Sequence, residues 1–239
     1  LPVGRSETDA PLRPGTAAVQ LGGLGIFGPG GTAAQLGLRG EIGVTESVLP
    51  TINAGLLRTL AGPVLVRDLQ LGARTLPVRT ADVVLAIEPG LSLPTGSIGA
   101  DAGPLPTTSG SVDPTLKADL IVGAKVLGLA GVQARFPVIE GRDGLRQGPF
   151  ARADLRGAVR QGIAVPWLGT SLLRQAPHAD GRGDLWEVAV TAGVSIELSD
   201  TTGVGALVRV PVWTDATAPY SVAPGLSVRQ VLGRKSTQH

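Results

Sequence analysis

Arg39 and Glu41 stand two residues apart, as do Lys117 and Asp119, and Arg152, Asp154 and Arg156 form a run of three at the same spacing. A spacing of two puts side chains on one face of an extended strand. Opposite charges held that way can pair with each other, or they can line an aqueous path and select solutes by charge and size. Lys125, Arg135, Glu187, Glu197, Arg209 and Arg229 fall on the same kind of polar face. Residues for other chemistries are sparse. The chain contains no Cys, so disulfides and thiolate metal sites are excluded. His178 lies in a long connection and His239 at the tail, which speaks against a metal site and against a serine–histidine hydrolase. The stretch GLGIFG (23–28) matches Gly-x-Gly-x-x-Gly, but Pro29, Gly30 and Gly31 follow where a phosphate-binding helix would have to begin. It reads as a turn. Asp101 and Asp113 fall in the longest connection, without calcium-loop spacing, and read as loop residues. No catalytic residue, metal or cofactor is expected.

The elements that must position these charges are strands. In WEVAVTAGVSIELS (186–199), Trp186, Val188, Val190, Ala192, Val194, Ile196 and Leu198 alternate with Glu187, Thr191, Gly193, Ser195 and Glu197. Period-two patterning of this length is a strand signal. It recurs in segments near 16–26, 33–44, 51–60, 64–76, 82–93, 114–127, 129–139, 149–160, 162–173, 186–198, 203–213 and 219–232. No helical periodicity of comparable length is present, and no stretch is long and apolar enough for a transmembrane helix.

Which face points inward decides the fold class. A soluble sheet buries its oily face, whereas a membrane barrel turns it to lipid and keeps its polar face inside. The apolar faces here are rich in Ala and Gly, yet the whole chain has seven aromatic residues. A sandwich core would need larger side chains to fill it at close-packed density. The segments also exceed the usual soluble strand length and suit about 9–11 tilted residues per bilayer crossing. Connections after odd-numbered segments include the long ones, while Gly128, Gln161 and 200–203 are short, as in outer-membrane barrels. Phe27, Phe136, Phe150, Trp167, Trp186, Trp213 and Tyr220 all fall toward the long-loop rim in such a meander, where an interfacial aromatic belt is expected. Trp213 is out of phase, since it lies on the nominally polar face.

The expected architecture is an all-β, single up-and-down antiparallel transmembrane β-barrel of about 12 strands. It comprises an N-terminal extension at 1–15, the barrel at 16–232 and a tail at 233–239. Its charged face lines the lumen, and Leu120, Val188 and Val228 meet hydrocarbon. The partners expected are the lipid bilayer of the cell outer membrane and a small-molecule solute. Nucleic acid is not expected, because 21 bases face 19 acids and stacking aromatics are few. The lack of Met at position 1 raises the expectation of a removed secretory signal or of a fragment. Two other readings stay open. The charges could plug the lumen of a structural barrel within an envelope assembly, or the chain could be a soluble β-sandwich adhesion or coat module.

Three stretches carry a family resemblance. LRGEIGVTESVLPTINAGL (38–56), VRDLQLGARTL (66–76) and EPGLSLPTGS (88–97) resemble signatures of the Gram-negative outer-membrane transporter family typified by the phenol-degradation meta-pathway protein. SVAPGLSVRQVLG, near the end, resembles that family architecturally. The chain departs from the pattern at VRDL, which stands for a glycine-led GDL. The resemblance implies a channel for small, often hydrophobic compounds, with no catalytic residues.

Overall fold

A computed structural model describes residues 12–28, 31–59, 64–96, 112–137, 149–176, 185–215 and 221–233. The described residues form strands β1 (Ala17–Gly28), β2 (Gly31–Ile42), β3 (Val48–Thr59), β4 (Val64–Val66), β5 (Leu69–Arg79), β6 (Val83–Leu93), β7 (Asp113–Val122), β8 (Val126–Arg135), β9 (Phe150–Val159), β10 (Ala164–Gln175), β11 (Leu185–Ser199), β12 (Thr202–Thr214) and β13 (Ala223–Leu232). Each pairs antiparallel with its neighbours in one sheet, and the β1–β13 and β2–β3 pairings close it. Strands β4 and β5 occupy one wall position, because both pair with β3. The result is a closed 12-strand barrel, as the alternation predicts. Closure satisfies the strand hydrogen bonds and leaves no open edge to meet lipid.

The break between β4 and β5, at Arg67–Asp68, falls inside the segment expected as one strand over 64–76. The apolar strand end Leu93-Pro94-Thr95-Gly96 stitches it. Leu69 N–H donates to Thr95 Oγ1 at 2.9 Å, and Gly96 N–H donates to Asp68 Oδ1 at 3.1 Å. Two of the family-like stretches therefore meet at one seam. GLGIFG is strand throughout rather than a turn, and β1 stays paired with β2 as far as Gly28 and Gly31.

Connections at one rim are short. Gly123, with φ of 103°, lets the chain turn between β7 and β8, where a Cβ would lie 2.0 Å from the Val126 carbonyl oxygen. That tight turn removes Lys125 from the strand expected over 114–127 and leaves it exposed outside the lumen. The connections at the opposite rim contain the undescribed stretches, including Asp101, His178 and Tyr220. His239 also lies outside the described residues. Asp113 is no loop residue: it opens β7 and is fully buried.

Side-chain orientation follows parity. Leu21, Leu38, Leu155, Leu168 and Leu226 stand exposed around the outside. Leu120 and Val228, at 39% and 48% exposed, share that face, and Val188 lies half-buried on it. An exposed apolar surface running round the whole wall is far larger than soluble monomers present, and in a closed barrel it suits lipid. The one parity conflict is resolved by a β-bulge: Val188 pairs with Trp213 but Ala189 with Pro211, so Val212 and Trp213 both face outward.

Candidate functional site

The lumen is built by the inward residue of every second position, and it is not uniform. On the β2–β6 wall, Arg39 is the hub. Its Nε donates to Glu41 Oε1 at 2.7 Å, and its Nη1 and Nη2 donate to Glu88 at 3.1 and 2.7 Å. Asn53 Oδ1 accepts from Arg39 Nη1 at 3.2 Å, and Thr51 Oγ1 donates to Glu88 at 2.9 Å. Arg74 Nη1 lies 4.0 Å from Glu41. Two strands, β3 and β5, separate Arg39 from Glu88 in the wall, so this bidentate fork crosses the inner surface as a chord. Arg39, Glu41, Thr51, Arg74 and Glu88 are all buried.

Across the barrel the charges form separate pairs, and more of them keep water access. Lys117 lies 3.6 Å from Asp119, with 17% and 21% of their side chains accessible. Arg152 Nη2 donates to Asp154 at 2.5 Å, and Asp154 is also 21% accessible. Arg135 Nε lies 3.6 Å from Asp113. A tight pair joins Arg209 to Glu187, and Arg209 Nη1 donates to Ser171 Oγ at 2.7 Å. Glu197 and Arg229 line the short-turn end, half-buried.

Apolar clusters divide these charges. Leu24, Ile26, Ala33, Leu57, Leu65 and Ala223 face inward toward the long-loop rim. Leu127, Ala158, Val165 and Trp167 face inward toward the short-turn rim, with Ile121, Leu129 and Leu207 packed against them. A third cluster, of Ala18, Leu49, Leu76 and Ala86, receives Leu12, which precedes β1 and tucks into the short-turn mouth. Trp167 therefore does not belong to the outer belt. It is 6% exposed, points inward and sits near the start of β10. Val165 and Trp167 are apolar on the inward face while Leu168 and Leu172 are apolar outside, and a strand oily on both faces gives parity nothing to read.

Phe27, Trp186 and Trp213 are exposed on the outside, Phe136 lies just past the end of β8 and Phe150 opens β9, half-buried. All five stand toward the long-loop rim. Arg74, Glu88, Asp68 and Ser171 are lumen residues beyond those singled out from sequence. Arg74, Glu88 and Ser171 stand on the inward parity of their own strands, so their signal is the same alternation, hidden by apolar neighbours, whereas Asp68 lies in the β4–β5 break.

No protein-family model and no curated protein sequence matches the chain. Solved structures do. The COG4313 outer membrane channel from Pseudomonas putida F1 aligns with a TM-score of 0.72 at 14% identity, over 96% of this chain and 100% of that one. The NanC porin gives 0.58 at 8% identity, over 90% and 100%, and the KdgM porin 0.53 at 10%, over 90% and 98%. The fold is that of outer-membrane channel and porin barrels, and the cell-outer-membrane location expected from the strand pattern agrees with it.

Proposed function

We propose that the chain is an outer-membrane channel that passes small solutes with apolar character, of the kind the phenol-degradation meta-pathway resemblance implies. The observation that carries this reading is the pair of inward apolar clusters, one toward each rim, in a barrel whose outer face already satisfies lipid. An inner wall built to be wet throughout has no use for Leu57, Leu127 or Trp167; an apolar solute does. The passage follows the β7–β10 wall, where Lys117, Asp119 and Asp154 retain water access, whereas the β2–β6 wall is filled by the Arg39 network. Purified, heat-modifiable barrel inserted into planar bilayers is expected to give ohmic steps.

A second reading has its own support. The Arg39–Glu88 chord and Leu12 in the mouth both narrow the lumen, as a structural barrel serving an envelope assembly would require. Electrical silence from folded, inserted protein would favour that reading. Recovery in the soluble fraction without detergent would remove both.

A further inference from the structure

The two arginines of β9 differ. Arg152 is ion-paired with Asp154, but Arg156 stacks on Trp167, 5.2 Å from the ring centroid, and pairs with no carboxylate among the described residues. Both partners are held flat by glycines. A Cβ at Gly193 would lie 2.5 Å from Trp167 Cζ2, and one at Gly169 would lie 2.6 Å from Arg156 Cγ. Arg156 and Trp167 are one register step apart on adjacent strands, since Ala158 faces Trp167 and Arg156 faces Gly169. Below them lie Leu127 and Val165.

Stacking uses the face of a guanidinium and leaves its in-plane N–H donors available, in the fork that matches a carboxylate. The acid beside it on the same face of β9, Asp154, is already taken by Arg152. We infer that Arg156, seated on Trp167, forms a lumen subsite for small carboxylates, the in-plane donors of the guanidinium taking the carboxylate while the buried Trp167 ring fixes its plane. That such a solute is then carried through rests on the channel reading; the binding itself does not.

Benzoate and its neutral isostere benzamide are the probes, and the indole N–H resonance of Trp167 in the folded, detergent-solubilised barrel is the readout, assigned with W167F. Benzoate is expected to shift it saturably. Benzamide should need about tenfold more ligand or worse, the effect of one charge-assisted hydrogen-bond pair. R156Q should weaken benzoate by a similar factor. R174Q removes the equivalent pair outside the barrel, Arg174 over Trp186 at 4.8 Å, and should change nothing. Equal titration by the two probes, or an unaltered benzoate titration in R156Q, overturns the inference. If R156Q does not fold, the wild-type comparison of the two probes decides alone. Saturable binding without conductance would sink the channel reading and leave the subsite; conductance without binding would do the reverse.

Discussion

The β2–β6 wall and the β7–β10 wall of the lumen use arginine in opposite ways. Arg39 is saturated: its three nitrogens are engaged by the carboxylates of Glu41 and Glu88 and the amide of Asn53, and every member of that network save Asn53 is buried. Arg156 is laid on an aromatic ring beside apolar side chains. The first arrangement fixes structure, because removing one member of a desolvated ion pair strands the other. The second leaves donors to offer. The lesson is that counting lumen charges says little; what each charge faces decides whether it closes the barrel or serves it.

The largest effect is expected where the saturated wall is broken. Glu88→Ala leaves Arg39 without its fork and should cost about 3–5 kcal/mol, read as a lower melting temperature of the heat-modifiable band; an unchanged midpoint would mean that the chord carries no stability. Next comes the outer face. Leu155, 60% exposed in the middle of β9, faces lipid; Leu155→Arg should cost about 2–4 kcal/mol in folding titrations from lipid vesicles. In the β7–β10 wall, Gly193→Ala forces Trp167 off its seat for about 1–3 kcal/mol, together with a shifted Trp emission. Arg174→Gln, outside, should cost only about 0.5–1 kcal/mol, and a larger loss would mean that the exterior stack is not merely superficial.

Much of the fold was legible in the sequence because lipid enforces strict parity. Glu187, Arg209, Arg39 and Glu41 could be assigned to the inside from spacing alone, and Leu226 or Leu38 to the outside. Legibility failed where the local rule is silent. Trp167 and Val165 lie in a strand that is apolar on both faces. The Val188–Ala189 register shift moves Trp213 to the other face without any local mark. Arg39 and Glu88 lie 49 residues apart and meet only because the barrel closes. The β4–β5 break at Arg67–Asp68 depends on Thr95 and Gly96, supplied by the end of another strand.

The chain has no native cysteine, so single cysteines can be placed cleanly in each wall. Gln133 faces inward on β8 between Lys117 and Arg152, whereas Thr51 is buried within the Arg39 network. In planar-bilayer recordings, a water-soluble, positively charged methanethiosulfonate should lower the conductance of Gln133→Cys stepwise and leave Thr51→Cys untouched. Rapid modification of Thr51→Cys with no effect at Gln133→Cys would contradict a passage along the β7–β10 wall.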